Sequence, residues 1–189
     1  MKKIMTIMAA TMLSSAAIAQ TWNLDKAHSK LGFTITHLSV SDVDGLFKNF
    51  DANLAATKPD FSDAKVTLTA DVKTINTDNT MRDEHLQKPD YLDAEKYPKL
   101  TFQSTSLKKA GANKYKMYGN LTLHGVTKPV VLDVTHRGTV THPMNKKQVA
   151  GFKVTGKIKR TDFKISESTP NAMLSDEIEL NANVEFQQG

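Results

Sequence analysis

EIELNANVEF, residues 177–186, alternates polar and apolar side chains without interruption from Glu177 to Phe186. Successive side chains of an extended strand point to opposite faces, so this pattern predicts a β-strand with one apolar face and one polar face. Strands that bury only one face are typical of antiparallel sheets, whereas the strands of a parallel α/β sheet are apolar on both faces. The stretch therefore indicates an all-β protein built on an antiparallel sheet.

The same alternation recurs along the chain. Seven further stretches show it: 31–37, 46–56, 66–72, 100–102, 115–123, 130–136 and 152–158. About eight one-sided antiparallel strands close naturally into a barrel, and a barrel of ~8 strands either fills with side chains or holds one small ligand. Within 46–56, Phe47 falls on the opposite side from Leu46 and Phe50, which predicts a bulge at that point.

One segment breaks the alternation. Residues 78–97 are rich in charge and predict a helical insertion between two strands, with Asp78 or Asn79 as its N-cap. Pro89 and Pro98 mark its end, because proline lacks the amide proton that a helix requires. The apolar face of this helix would carry Met81, His85 and Leu86. The predicted fold class is therefore all-β with one helical insertion, folded over a mouth or side of an antiparallel barrel of about eight strands.

The N-terminus has the three parts of a secretory signal peptide. Lys2 and Lys3 form a basic start, an apolar stretch follows, and Ala17-Ile18-Ala19 forms an A-x-A cleavage site. A membrane anchor is the alternative, but it needs ~20 strongly apolar residues, and this stretch is shorter and contains Thr and Ser. We expect cleavage of residues 1–19, export to the periplasm, and a mature chain, residues 20–189, that forms a single domain.

The composition argues against several classes of function. The chain has 25 basic and 20 acidic residues, and two of the basic residues, Lys2 and Lys3, belong to the predicted signal peptide. The remaining charge is close to neutral and interspersed, so it lacks the basic patch typical of nucleic-acid binding. The absence of cysteine removes disulfides, cysteine catalysis and cysteine-rich metal sites.

An outer-membrane barrel is an alternative, because its strands also alternate apolar and polar side chains, with the apolar side turned to lipid and the polar side inward. Most of the predicted strands are shorter than the ~9–11 residues that a membrane-spanning strand needs. One Trp and four Tyr are too few for the aromatic girdles of such a barrel. The sequence therefore favours a soluble barrel with an apolar interior.

Six histidines raise the alternative of a metal- or histidine-dependent enzyme: His28, His37, His85, His124, His136 and His142. Asp83-Glu84-His85 lacks the second histidine of a zinc-binding helix, and no nucleophile elbow or phosphate-binding loop is present. His37 and His136 share the parity of the apolar faces, so a site assembled across strands stays open as an alternative, acting on a lipid or quinone-like substrate. We otherwise expect histidines near the barrel ends, and no catalytic residue, metal or cofactor.

The apolar faces supply many large side chains for one barrel interior. They include Phe33, Ile35, Phe50, Leu54, Leu68, Phe102, Leu121, Leu123, Phe152, Val154, Leu180 and Phe186. These side chains could fill the interior completely. They could instead line a tunnel for a long hydrocarbon, which would bury apolar surface at ~25 cal/mol per Å². Alternation alone does not separate a filled barrel from a hollow one.

Motifs along the whole predicted mature chain resemble the YceI-like family. They include Trp22-Asn23-Leu24-Asp25, Gly45-Leu46-Phe47, Arg82-Asp83, His85-Leu86, Asp90-Tyr91-Leu92-Asp93, Tyr97-Pro98-Lys99-Leu100, Leu121-Thr122-Leu123-His124-Gly125-Val126 and Arg160-Thr161-Asp162-Phe163. Within the turn at His124-Gly125, the glycine can supply a positive φ. The resemblance implies a lipocalin-like barrel with a helix packed over it, holding a polyisoprenoid or another long-chain lipid in its interior.

The resemblance also implies a hollow barrel, for which we expect a set of ligand-binding residues. They are Phe33, Ile35, His37, Phe50, Leu54, Leu68, Arg82, His85, Phe102, Leu121, Leu123, Phe152, Val154, Arg160 and Phe163. The apolar members would contact the tail. The head group, such as that of a quinone or a polyprenyl phosphate, would lie at a mouth near the helix and the late loop, with Arg82, His85, Arg160 and Lys164 as its polar candidates.

Two further expectations concern a departure from the family and the partners of the protein. The family usually has Gly after the Asp-Phe of the late motif, whereas this chain has Lys164, so we expect an altered backbone and a cation near that loop. The lipid would be the main partner, with transient membrane contact. An uncovered edge strand would allow two copies to pair as a homodimer.

Overall fold

The computed structural model describes residues 19–189, which form β-strands joined by turns and short helical segments. The predicted signal peptide lies outside the described residues except for Ala19. No helix among residues 19–189 is both long enough and apolar enough to cross a membrane.

Within the described residues, eleven antiparallel strands form one continuous sheet. Their bounds are β1 Gln20–Leu24, β2 Lys30–His37, β3 Ser41–Phe47, β4 Phe50–Ala56, β5 Lys65–Asp71, β6 Ile75–Asn76, β7 Lys99–Lys109, β8 Lys114–Leu123, β9 Val126–Thr141, β10 Gln148–Lys159 and β11 Leu174–Gln188. The helical segments are α1, Thr80–Leu86, and three 3-10 turns, Lys26–His28, Val72–Thr74 and Thr161–Phe163.

Eight of these strands close into a barrel in the order β1-β4-β5-β7-β8-β9-β10-β11, and β11 returns to β1. On the edge away from β10, β11 pairs first with β2 and then with β1. Phe186 lies opposite Leu24 of β1, and Ile178 lies opposite Ile35 of β2. Strands β2, β3 and β6 extend the wall beyond the closed ring. The predicted antiparallel barrel of about eight strands is confirmed.

The apolar side of the alternating strands faces the interior of the barrel. In β4, Ala52 and Leu54 are buried while Asp51 and Asn53 are exposed. The decisive stretch at the C-terminus behaves in the same way, since Phe186 is buried in the core. This orientation is the reverse of an outer-membrane barrel, whose apolar side faces lipid.

The connections between strands cluster at the two ends of the barrel. One end carries the β2–β3 turn, α1 with the turns that follow it, the β8–β9 turn and the segment 160–173. The other end carries the loop 57–64 between β4 and β5, the β7–β8 turn and the β9–β10 turn at 142–147. We refer to the first as the open end and to the second as the closed end.

The bulge predicted at Phe47 is an interruption between two strands. β3 ends at Phe47 and β4 begins at Phe50, and both aromatic rings are buried. The amides of Lys48 and Asn49 leave the ladder and donate to Thr74, at 3.1 Å to its carbonyl and 3.0 Å to its hydroxyl. Because two residues intervene, Phe47 and Phe50 can both turn into the core although they differ in parity.

The helical insertion is shorter than the sequence predicts. α1 covers Thr80–Leu86, and residues 87–98 form turns that lead into β7. Proline offers no amide proton and disfavours helical backbone at the residue before it, so Pro89 prevents the helix from continuing. The prediction of a helix as far as Tyr97 was therefore wrong.

The start of the helix agrees with the sequence prediction, but the predicted set of residues on its inner face agrees only in part. Asn79 is the N-cap, and its Oδ1 accepts a hydrogen bond from the amide of Arg82 at 3.0 Å. His85 and Leu86 face the barrel interior as expected. Met81 does not, because it lies on the outer side of the helix with 79% of its surface exposed.

Candidate functional site

The interior of the barrel contains an elongated cavity of about 430 Å³. This volume falls within the ~300–1,000 Å³ typical of small-molecule sites. Its walls are mainly apolar, with contributions from Leu31, Val66, Leu100, Met117, Leu132, Val134, Ile158, Leu180 and Val184 among others. The barrel is therefore hollow and is not filled by its own side chains.

Glycines opposite large side chains help to keep the interior open. The ring of Phe33 in β2 lies over Gly45, its partner in β3, so closely that a Cβ on Gly45 would be 2.3 Å from Cζ of the ring. Phe102 in β7 lies over Gly119 in the same manner, at 2.4 Å. Because these rings lie along the wall instead of crossing the barrel, they line the space without filling it.

Thirteen of the fifteen predicted ligand-binding residues line this cavity. They are Phe33, Ile35, His37, Leu54, Leu68, Arg82, His85, Phe102, Leu121, Leu123, Phe152, Val154 and Arg160. Phe50 and Phe163 do not line it. Phe50 is packed in the core at the start of β4, and Phe163 is buried in a 3-10 turn, where its carbonyl accepts a hydrogen bond from His124 Nδ1 at 3.0 Å.

An aromatic cluster closes one end of the cavity. Phe61 packs edge-on against Trp22, Phe152 and His136, with ring centroids 5.0, 5.1 and 5.0 Å away. His136 stacks on Phe152 at 5.0 Å, and Phe186 packs against Phe152 at 6.1 Å. We call these five residues the aromatic floor. Burial lowers the pKa of His136, which favours its neutral form within this apolar cluster.

The loop 57–64 carries Phe61 into the floor. Phe61 has a left-handed backbone, with φ of 59°, and is almost fully buried. The hydroxyl of Tyr115 donates to the carbonyl of Asp60 at 2.5 Å, and the carboxylate of Asp63 accepts from the amides of Thr57 and Lys58 at 2.9 and 3.1 Å. These bonds hold the loop across the barrel and make the cavity blind at this end.

Arg82 lies at the open end of the cavity. Its Nε donates to the hydroxyl of Thr77 at 2.7 Å, and its Nη2 donates to the carbonyl of Thr77 at 2.7 Å. The Thr77 hydroxyl in turn donates to Asp83 Oδ1 at 2.6 Å. No carboxylate lies within ion-pair distance of the Arg82 guanidinium among residues 19–189. The cation is thus held in place while part of its hydrogen-bonding capacity stays free.

Two histidines line the cavity together with Arg82 at the open end. His37 ends β2 and is exposed to solvent while it lines the cavity. The ring of His85 packs edge-on against Tyr91 at 4.8 Å, and its Nε2 lies 4.0 Å from the carboxylate of Asp90. A residue that is exposed and also lines the cavity marks its entrance, so the cavity opens at this end.

Arg160 differs from Arg82 because the N–H groups of its guanidinium already donate to oxygen atoms of the protein. The side chain is buried, and its guanidinium donates to six oxygen atoms, namely the carbonyls of Ile165, Ser166, Thr169, Leu174 and Ser175 and Oδ1 of Asn171. An arginine has five N–H donors, so none is left for a ligand. Arg160 lines the cavity but organises the segment 160–174, which makes its predicted role at a head group a poor fit to the geometry.

Lys164 keeps the backbone that a glycine would adopt. Its φ and ψ are 59° and 29°, in the left-handed region, and it ends the 3-10 turn Thr161–Phe163. The expectation of an altered backbone was therefore wrong. A non-glycine residue in this conformation carries a strain of ~1–2 kcal/mol. The side chain is exposed and does not line the cavity.

Several cavity residues could not be recognised from alternation. Tyr91 and Leu92 lie in the turns after α1, Ile165 lies in the segment held by Arg160, and Phe61 lies in a loop. Tyr91-Leu92 belongs to a motif that carried the family resemblance, so that signal was available. Phe61 had none, because a single aromatic residue in a polar loop shows no periodicity.

The histidines do not assemble a metal cluster on the cavity within the part of the chain that the structure describes. The one group of three ligand-type side chains there is Asp25, His28 and Glu185, with ligand atoms within 4.8 Å of one another. It lies at the start of the 3-10 turn Lys26–His28, where the Asp25 carboxylate accepts from the amide of Ala27 and pairs with His28 Nδ1 at 3.0 Å. None of its members lines the cavity.

Comparisons with known proteins agree with this architecture. The model of the YceI-like domain matches residues 22–186. Protein YceI of Salmonella newport (strain SL254) is 39% identical over 174 residues, which is 91% of this chain and 89% of the relative. The solved structure of the YceI protein of Campylobacter jejuni is 41% identical with a TM-score of 0.75, covering 87% of this chain and 96% of that chain. A polyisoprenoid binding domain from Saccharophagus degradans, only 16% identical, shares the fold with a TM-score of 0.62, covering 89% of this chain and 98% of that chain.

Proposed function

The chain belongs to the YceI-like family, and on that premise we propose that it is a periplasmic carrier for a long isoprenoid or similar lipid. The observation that carries this proposal is the shape and chemistry of the cavity. The cavity is elongated, lined by apolar side chains and closed at the aromatic floor. At its mouth, Arg82 is held by Thr77 but keeps N–H donors free. A long apolar tail with a polar head matches each of these features.

The cavity fits a linear tail better than a compact molecule. Its lining follows β8 from Tyr115 to Leu123, eight residue steps that span ~27 Å along a strand. Strands in a barrel tilt by ~35–45° from the axis, which leaves ~20 Å of depth. Apolar surface buried along this depth contributes ~25 cal/mol per Å², so affinity for the tail requires no specific polar contact.

The head group would lie at Arg82. The tail must enter through the open end because Phe61 and its neighbours close the other end. A tail inserted in this direction leaves its head beside Arg82, His37 and His85. A guanidinium with free donors favours a phosphate or a carbonyl oxygen, such as those of a polyprenyl phosphate or a quinone.

Export to the periplasm is part of the proposal. It rests on the signal-peptide pattern of residues 1–19, with cleavage after Ala19 and one mature domain over residues 20–189. A periplasmic carrier faces both membranes of the cell envelope. Transfer of a lipid between them requires a protein that shields the tail from water.

We favour binding over catalysis for this cavity. The polar side chains on it are few, and the Thr77 hydroxyl at the mouth is already engaged by Arg82 and Asp83. The alternative, a metal- or histidine-dependent enzyme, would use His37 or His136, but these lie at opposite ends of the barrel. The barrel fold can accommodate a lipid, since the Saccharophagus degradans domain that shares it is a polyisoprenoid binding domain.

Pairing of two copies is a further element of the proposal. The edge of β9 pairs with β8 up to Thr135, and residues 137–141 extend beyond it without a strand partner on that edge among residues 19–189. Exposed edges of this kind favour pairing with another strand. Sedimentation equilibrium of the purified mature protein would measure its mass in solution, and a monomer at all concentrations would contradict this element.

The test of the main proposal is native mass spectrometry of mature protein purified from its own periplasm, followed by organic extraction and lipid analysis. We expect one long-chain lipid per chain, released when the protein unfolds. Protein that is empty as isolated, and that takes up neither farnesol nor farnesyl phosphate in vitro, would contradict the proposal.

A further inference from the structure

The turn between β2 and β3 has an unfavourable sequence for its conformation. Leu38 and Ser39 both have positive φ, 51° and 58°, and the amide of Val40 donates to the carbonyl of His37 at 3.1 Å. Two central residues with positive φ define a type I′ turn, which strongly favours Asn-Gly. A leucine with positive φ is strained, and strain of this kind is often found at functional sites.

The same turn exposes apolar side chains to water. Leu38 is 49% exposed and Val40 is 82% exposed. Met173, 53% exposed, is fixed beside them because its carbonyl accepts from the amide of Leu38 at 2.9 Å. Met81 on α1 is a fourth exposed apolar residue at the open end. We call Leu38, Val40, Met81 and Met173 the apolar rim.

The apolar rim is continuous with the entrance of the cavity. His37 precedes Leu38, Arg82 follows Met81 and Leu174 follows Met173, and all three of these neighbours line the cavity. A lipid tail that leaves the cavity at this end therefore passes next to the rim. Apolar side chains at this position would reduce the exposure of the tail to water as it leaves the cavity.

We propose that the apolar rim docks onto a lipid bilayer, so that the mouth of the cavity opens into the membrane surface. This inference rests on the proposed function as a lipid carrier. Exposed apolar side chains can enter the boundary between head groups and acyl chains, and their affinity grows with the apolar area buried there. The strained turn is then explained, because it projects Leu38 and Val40 beyond the barrel.

The charged groups beside the rim include the guanidinium of Arg82, which follows Met81, and two carboxylates. Asp42 and Asp44 lie on β3 next to the turn and accept hydrogen bonds from the hydroxyls of Thr36 and Thr34 at 2.8 and 2.6 Å. Carboxylates at this position do not attract anionic lipid. Docking is therefore expected to rest on apolar insertion and to occur on zwitterionic lipid, without a requirement for anionic lipid.

The experiment compares two double variants that carry the same chemical change, one at the mouth of the cavity and one away from it. Val40→Asp/Met173→Asp changes the rim. Val131→Asp/Met144→Asp changes equally apolar residues away from the mouth, since Val131 lies on the outer face of β9 and Met144, 86% exposed, lies in the β9–β10 turn at the closed end. Flotation with phosphatidylcholine vesicles measures docking, and binding of a fluorescent farnesyl probe without vesicles measures the cavity.

We expect the wild type and the Val131/Met144 variant to float with the vesicles, and the rim variant to bind them at least ~10-fold more weakly. All three should bind the probe equally in the absence of vesicles.

A wild type that binds the probe but not the vesicles would overturn the docking inference and leave the carrier function standing, with the rim then assigned to a protein contact. Equal loss in both variants would also overturn it. Failure of every protein to bind the probe would count against the carrier function itself.

A third variant separates docking from folding. Leu38→Asn/Ser39→Gly supplies the residues that a type I′ turn favours and removes one apolar side chain from the rim. We expect this variant to unfold at a higher temperature than the wild type while it docks more weakly. A higher unfolding temperature with unchanged docking would show that Leu38 takes no part in membrane contact and would overturn its assignment to the rim.

Discussion

Arg82 and Thr77 are joined by two hydrogen bonds of 2.7 Å, one from Nε to the hydroxyl and one from Nη2 to the carbonyl. The two bonds fix the plane of the guanidinium at the mouth of the cavity. Nη1 makes no hydrogen bond to protein within residues 19–189. Arg82 thus combines a fixed orientation with donors that a ligand can use.

Replacing Arg82 should abolish selection for an anionic head group. We expect Arg82→Gln to lower affinity for farnesyl phosphate by ~10- to 100-fold, because a hydrogen bond to a charged group contributes ~1.5–3 kcal/mol. Affinity for farnesol, which has the same tail without the charge, should change little. Isothermal titration with both ligands measures the difference. Arg137→Gln, on β9 and outside the cavity, is the control, and equal loss for both ligands in Arg82→Gln would contradict a head-group role.

A bulky side chain inside the barrel should block the tail. Leu132 and Val131 are neighbours on β9, with Leu132 on the cavity and Val131 exposed outside. We expect Leu132→Trp to weaken farnesol binding at least ~10-fold, since it occupies space that the tail would use. Val131→Trp should bind like the wild type. Equal affinities of the two variants would show that the tail does not enter this part of the barrel.

Loss of Arg160 should destabilise the fold. Arg160→Met leaves several buried carbonyls without a donor, at ~1–3 kcal/mol for each one that cannot find water. We expect a loss of ~3–5 kcal/mol in the free energy of unfolding, measured by urea denaturation. Arg160→Lys keeps the charge but cannot serve six acceptors, so it should recover only part of the loss. A loss below ~1 kcal/mol in Arg160→Met would contradict this account.

The turn between β8 and β9 should tolerate only glycine at residue 125. Gly125 has φ of 72°, and a Cβ there would be 2.3 Å from Cε1 of Tyr97. We expect Gly125→Ala to lose ~2–3 kcal/mol in thermal or urea unfolding, from strain and from the clash. Gly138→Ala is the control, because Gly138 also has positive φ, 137°, but has no atom near the Cβ position. An equal loss in both variants would show that Tyr97 moves aside without cost.

The aromatic floor should make stability depend on pH. Burial lowers the pKa of His136 in the folded state, so on acidification the unfolded chain takes up the proton first, near its ordinary value of ~6.5. Stability is therefore lost as the pH falls through ~6.5 toward the lowered folded pKa, with a slope of at most ~1.4 kcal/mol per pH unit for one proton. His136→Phe keeps an aromatic ring against Phe61 and Phe152 and removes the titration. Urea unfolding of both proteins between neutral and mildly acidic pH should give a flatter profile for the variant, and parallel profiles would contradict this role.

Periodicity predicted which side of a strand is buried, because that depends only on neighbouring residues. Ala182, Val184 and Phe186 face the interior as the alternation of β11 indicates. Whether the interior is filled depends on contacts across the barrel, such as Phe33 lying over Gly45, and no local pattern contains this information. The sequence could therefore predict the wall of the cavity but not the space within it.

The polar part of the site was harder to predict than the wall. The sequence does not separate the roles of Arg82 and Arg160, yet Arg82 keeps free donors whereas the N–H groups of Arg160 all donate to protein oxygens. The difference arises from the conformation of the segment 160–174, which is irregular and has no periodic signal. Phe61 escaped prediction for the same reason, although it closes the cavity.

Trp22, the only tryptophan in the chain, packs edge-on against Phe61 at 5.0 Å in the aromatic floor. Its indole is buried and does not line the cavity, whereas Phe61 does. A ligand that reaches the floor will displace Phe61 or pack against it, while a shorter ligand will leave both rings undisturbed. The intrinsic fluorescence of Trp22 therefore reports, through the wavelength and intensity of its emission, how deeply a bound molecule penetrates.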